Sequence, residues 1–119
     1  MKKVLIVDDS RTSRRVLKDI LDRAGYEVVG EAINGQEGYD QYIKLQPDIV
    51  TMDITMPVID GIESLKLIKK FDPDAKIIMI TAAGQKEKMV EAVKFGAIEF
   101  ITKPFSEGSV VSALQHCLQ

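Results

Sequence analysis

The chain has 119 residues, 45% hydrophobic and 29% charged, with a formal net charge of -2; that is enough apolar material for one core in one soluble domain, spanning 1–119. A mildly acidic chain lacks the clustered Lys and Arg that a phosphate backbone demands, so direct nucleic-acid binding is not expected. One Cys and one His exclude an internal disulfide framework and a His/Cys zinc site, and no apolar run approaches the roughly 20 residues of a membrane span.

Apolar runs and helical patterns alternate along the whole chain. Met1-Lys2-Lys3 leads into Val4-Leu5-Ile6-Val7, a continuous apolar run that reads as a strand buried on both faces. Asp8-Asp9 interrupts it too early for a signal peptide, and the expected location is the cytoplasm. Val16, Leu17, Ile20, Leu21 and Ala24 then recur at helical spacing, with Gly25 as a stop. Glu27 to Ile33 is the second strand candidate. Asn34-Gly35 punctuates it, and Gln36 to Leu45 reads as a helix ending before Pro47. Asp48 to Met52 is the third strand. Asp53 to Gly61, with Pro57 inside it, reads as loop. Ile62, Leu65 and Ile68 mark a third helix, ended by Pro73. Lys76 to Ile80 is the fourth strand, and a helix from about Lys86 to Phe95 is stopped by Gly96. Ile98 to Ile101 is the fifth strand. Val110, Val111, Leu114 and Leu118 stripe the last helix. Five strands alternating with five helices predict an α/β fold, a doubly wound three-layer domain with a five-stranded parallel sheet. No linker or repeat interrupts it. In such a fold the site lies beyond the carboxyl ends of the strands.

What stands at those ends is informative. Strand one is followed by Asp8-Asp9, strand three by Asp53, strand four by Thr81 and strand five by Lys103-Pro104. Taken singly, the acids could cap a helix or a turn, Thr81 could cap, and Lys103 could be loop. Their occurrence at successive strand ends argues for one site. Carboxylates about 4 Å apart repel by about 4 kcal/mol per pair at an effective dielectric near 20, so three together call for a cation. Mg2+ suits them, being a hard ion that takes oxygen ligands. Lys103 and Thr81 exceed what a metal needs. An ammonium and a hydroxyl suit a phosphoryl group placed on the metal-bound carboxylate.

The runs Val4-Leu5-Ile6-Val7-Asp8-Asp9, Asp53-x-x-Met56-Pro57-x-x-Asp60-Gly61, Ile80-Thr81-Ala82 and Lys103-Pro104-Phe105 resemble the receiver domain of two-component response regulators. The resemblance covers essentially the whole chain and is strongest to the stand-alone chemotaxis members. It implies the flavodoxin-like strand order 2-1-3-4-5. It implies that Asp53 is the phosphoacceptor, with Lys103 and Thr81 assisting. Mg2+ would be held by Asp9 directly, Asp8 through water, Asp53, and the backbone carbonyl of Thr55. Thr81 and Phe100 would form the switch pair, and the Lys103-Pro104 bond would be cis. The implied partners are a histidine kinase or phosphotransfer domain, and an output partner on the helix 4–strand 5–helix 5 face, with the flagellar motor switch protein ranked first. Such a domain is not an enzyme in the ordinary sense, although it promotes its own phosphorylation and dephosphorylation. Two positions depart from the best-studied chemotaxis members: Thr55 stands where they have Asn, and Ala83 where they have Glu. Both flank the path of the attacking water, so the phosphate lifetime is expected to differ.

Weaker features complete the reading. Arg11, Arg14 and Arg15 open the first helix, either as a solvated face or as a dock for an acidic partner. His116 reads as surface and Cys117 as partly buried helix filler. Met52, Met56, Met79 and Met89 read as core. Among rival functions, a phosphatase of the haloacid dehalogenase type needs Asp where Thr55 stands. A flavodoxin-type electron carrier needs a Ser/Thr/Gly-rich loop where Asp8-Asp9-Ser10-Arg11 stands. A phosphorelay intermediate, or a receiver belonging to a larger DNA-binding regulator, shares every motif.

Overall fold

The computed structural model describes residues 1–118; residue 119, the last of the expected domain, lies outside the described residues. Ten elements alternate: β1 Lys3–Val7, α1 Arg11–Arg23, β2 Glu27–Ala32, α2 Gly35–Leu45, β3 Ile49–Asp53, α3 Gly61–Phe71, β4 Ile77–Thr81, α4 Lys86–Lys94, β5 Glu99–Thr102 and α5 Glu107–Cys117. All strand pairs are parallel and the order is β2-β1-β3-β4-β5. The expected α/β doubly wound sheet and its order are both present.

The three inner strands explain themselves. Every residue of β3 and β4, and the last four of β1, is buried. A strand covered on both faces has no polar side to show, which is why these segments are continuous apolar runs. The edge strands β2 and β5 are less buried and carry Glu. Alternation along each strand divides the core in two. Val4, Ile6, Ile49, Ile78, Ile80 and Ile101 pack with Leu17 and Leu21 of α1 and Val110 and Leu114 of α5. Leu5, Val7, Val50, Met52, Ile77 and Met79 pack on the opposite face with Ile62, Leu65 and Ile68 of α3 and Ala92 of α4. Met52, Met56 and Met79 are buried, and Met89 packs against that second cluster, as expected. Cys117 is buried among the first.

Local chemistry sets the helix ends. Ser10, Asn34, Asp60 and Ser106 cap α1, α2, α3 and α5, each accepting from the backbone N–H three residues on. Gly25 stops α1 at φ 88° and Gly96 follows α4 at φ 98°, a region where a Cβ is strained.

Several boundaries differ from the sequence reading. Asp53 is the last residue of β3, and Gly61 opens α3 rather than closing a loop. The reason is contact: a Cβ on Gly61 would overlap the Asp53 carbonyl oxygen, and the Gly61 N–H donates to Ile54 O at 2.8 Å. The loop after Asp53 is therefore drawn tightly back onto the strand end. Asp48 precedes β3, where its carboxylate accepts from the Lys3 N–H at 2.7 Å. Ile33 and Ile98 lie outside their strands and are exposed, and Val16 is 45% exposed despite its place in the helical stripe.

Candidate phosphoryl-transfer site

The strand order sets β1, β3, β4 and β5 side by side, so Asp8, Asp53, Thr81 and Lys103 come to one end of the sheet. The two-residue period then sorts them. Val4 and Ile6 precede Asp8, Ile49 precedes Asp53 by four, and Ile101 precedes Lys103 by two. All belong to the face covered by α1 and α5. Ile77 and Met79 precede Thr81, and Phe100 is half-buried against the opposite cluster. Acids and lysine thus follow one face, and Thr81 and Phe100 the other.

One carboxylate oxygen from each of Asp8, Asp9 and Asp53 lies within 4.8 Å of the other two. Asp8 is 1% exposed, Asp53 8%, and Asp9 is open to solvent. Lys103 Nζ donates to Asp8 Oδ2 at 3.1 Å and to Asp53 Oδ2 at 3.2 Å. The other Asp8 oxygen accepts from the Ser10 N–H at 2.8 Å. One ammonium therefore faces at least two buried negative charges. Burial pushes the Asp53 carboxyl up from 3.8 to about 6, helped by the Asp8 charge and only partly opposed by Lys103. Burial works against the Lys103 charge, but its bonds to Asp8 and the charges of both acids outweigh that and raise its pKa. Oxygen-only donors with negative charge in excess fit a hard divalent cation.

Thr81 is buried, and its hydroxyl bonds to Gln85 rather than to any of the acids. Its Oγ1 donates to Gln85 Oε1 at 2.8 Å and approaches Ala82 O at 3.1 Å. Gln85 Nε2 donates in turn to Thr55 Oγ1 at 2.8 Å. Thr55 and Ala83 are exposed. The Lys103-Pro104 peptide is cis. Gln85 was not among the residues singled out in the sequence. The available signal was a Gln directly before a helix, where a short capping side chain is the norm.

Ser10 caps α1, which removes the alternative that Asp8 or Asp9 serves there only as a cap. Arg14 is not part of a solvated basic face. Its side chain is 14% exposed, and it donates to Asp8 O at 2.8 Å and to Glu31 Oε1 at 3.2 Å, tying β1 to β2. Arg11 and Arg15 are exposed. His116 is surface and sits 2.7 Å from Glu99 Oε2.

Comparison with known proteins agrees with this arrangement. A family model described as the response regulator receiver domain matches residues 4–115. The chain belongs to that family. The chemotaxis protein CheY of Thermotoga maritima is 57% identical over 113 residues, covering 95% of this chain and 94% of that protein. CheY of Bacillus subtilis is 47% identical over 116 residues, with 98% and 97% covered. Among solved structures, a CheX–CheY–BeF3–Mg2+ complex from Borrelia burgdorferi contains a chain that superposes with a TM-score of 0.95 at 36% identity, over 99% of this chain and 90% of that one. The protein is a receiver of two-component signalling that closely resembles CheY. It is a signalling protein rather than a conventional enzyme, and receivers of this family bind Mg2+ at an acidic pocket such as this one. No described helix is long and apolar enough to cross a membrane.

The charge crowding has a measurable consequence. A carboxyl whose folded pKa exceeds its unfolded value contributes most stability below the unfolded value and loses it as pH rises through the folded value. For Asp53 that window runs from 3.8 to about 6. Asp53→Asn is therefore expected to raise the thermal midpoint in chelator at pH 7.5, by roughly 4 °C for each kcal/mol of repulsion relieved. The gain shrinks toward pH 4. Thermal scans across pH check it, and a lower midpoint at pH 7.5 would show that the Lys103 pair outweighs the repulsion.

Proposed function

We propose that Asp53 accepts a phosphoryl group from the phosphohistidine of a histidine kinase or phosphotransfer domain, and that the modified receiver changes its affinity for an output partner in chemotaxis. The observation that carries this is the buried Asp53 carboxylate held between Asp8 and Lys103 at the strand ends. A carboxylate oxygen of Asp53 forms the bond to phosphorus as the phosphorus–nitrogen bond to the donor imidazole breaks. Lys103 is in place to meet the negative charge of the transferred oxygens. Asp8, Asp9, Asp53 and the Thr55 carbonyl would hold Mg2+. When bound, the ion supplies positive charge that offsets the carboxylates and the phosphoryl oxygens. Because these groups belong to the receiver itself, small phosphodonors suffice.

Two surfaces support the partner reading. An open groove of about 400 Å³ lies beside Lys103, lined by Thr12, Ser13 and Val16 of α1 and by Pro104 and Phe105. It suits the approach of the phosphodonor, with Arg11 and Arg15 of α1 facing solvent. On α4, Val90 and Val93 are 52% and 57% exposed, an apolar feature on the element that leads the helix 4–strand 5–helix 5 output face. Thr81 and Phe100 lie on that side of the sheet, so a phosphoryl oxygen that draws Thr81 inward biases the packing of Phe100 and α4. The partner ranked first is the flagellar motor switch protein, in the cytoplasm.

Two outcomes follow. The phosphorylated protein is expected to lose its label more slowly than the variant Thr55→Asn plus Ala83→Glu, which places an amide and a carboxylate on the water path; equal decay would refute that role for the two positions. In heteronuclear NMR with Mg2+, beryllofluoride is expected to tighten binding to the N-terminal segment of the flagellar motor switch protein. The gain is lost in Asp53→Asn. Activation without peptide binding would keep the phosphoacceptor and reject the motor.

A further inference from the structure

We propose that Gln85 is a positioning residue that latches the Thr81 hydroxyl in its resting orientation. The latch also ties that orientation to the loop after Asp53 and to the first turn of α4. The inference rests on the reading of Asp53 as phosphoacceptor.

The amide of Gln85 is used almost completely. Its Oε1 accepts from Thr81 Oγ1 at 2.8 Å and from the Ala82 N–H at 2.7 Å, and its Nε2 donates to Thr55 Oγ1 at 2.8 Å. It stands at the position that precedes α4 yet makes no side-chain cap, although its carbonyl accepts from the Met89 N–H at 3.0 Å. The other four helices are capped by Ser, Asn or Asp. Gln85 therefore directs its side chain across the strand end instead of onto its own helix.

The consequence follows from donor count. A threonine hydroxyl has one proton to give. While that proton goes to Gln85 Oε1, it cannot go to an oxygen of a phosphoryl group on Asp53. Phosphorylation must break the Thr81–Gln85 bond before Thr81 can turn. The resting state contains this bond and the activated state does not, so the bond biases the equilibrium toward rest. Its loss leaves the side chain that precedes α4 held only by the Ala82 N–H and Thr55, on the side of the sheet where Phe100 packs. Thr55 contributes through the same amide, which links the residue two places after the phosphoacceptor to the switch hydroxyl.

The test is a beryllofluoride titration in the presence of Mg2+, followed by NMR in the full chain. Gln85→Ala and Gln85→Met are both expected to lower the half-saturating concentration about fivefold, the equilibrium factor of one net neutral hydrogen bond. Methionine fills the space without any of the three bonds, so agreement of the two variants separates the latch from packing. In the Thr81→Ala background the gain should vanish, because the partner is gone. Unchanged or weaker binding in either Gln85 variant overturns the latch, as does an equal gain with and without Thr81. If the unsubstituted protein itself fails to respond to beryllofluoride, the phosphoacceptor reading fails and the latch falls with it. A normal response that is indifferent to Gln85 removes the latch alone.

Discussion

One ammonium set against two buried carboxylates organises this end of the molecule. Lys103 reaches Asp8 and Asp53 at 3.1 and 3.2 Å. The three residues lie 45 or more positions apart in sequence except through the sheet, which lays β1, β3, β4 and β5 next to one another. A buried pair of like charges is costly, and one lysine offsets it only in part. Burial first, and the Asp8 charge second, raise the pKa of Asp53. Such a site is poised for added positive charge. The tight return of the chain at Gly61 and the Ser10 N–H on Asp8 keep the acids in place.

The two faces of the sheet then divide the work. The acids and Lys103 follow the residues that face α1 and α5. Thr81 and Phe100 follow those that face α3 and α4. The two sides meet at the shared strand ends, where Asp53 and Thr81 close neighbouring strands. A shift from 1:99 to 99:1 needs about 5.5 kcal/mol of differential interaction. Single hydrogen bonds of about 1 kcal/mol each are therefore adjustments to that balance rather than its source, and charge-assisted contacts to a phosphoryl group must supply most of it.

Much of this was legible in the chain. Val4 to Val7, Ile49 to Met52 and Ile77 to Ile80 announce buried strands because a doubly covered strand has no polar face. Once the strands are placed, the residues at or directly after their carboxyl ends converge, so the meeting of Asp8, Asp53, Thr81 and Lys103 needed no knowledge of side-chain positions. What stayed hidden depends on reach. Gln85 belongs to the site only because its long side chain crosses from α4 to Thr81 and Thr55. Arg14 looked like part of an exposed basic face, yet its guanidinium turns back to Asp8 and Glu31. Val16 fits the helical stripe but lines the groove beside Lys103. Period and spacing identify a face; they do not say where a flexible side chain ends.

The most direct measurement is incubation of the protein with acetyl phosphate and Mg2+, followed by intact mass analysis and reductive mapping of the acyl phosphate. One phosphoryl group on Asp53, absent in Asp53→Asn and absent in chelator, is the predicted result. No modification, or modification at another residue, would contradict the account.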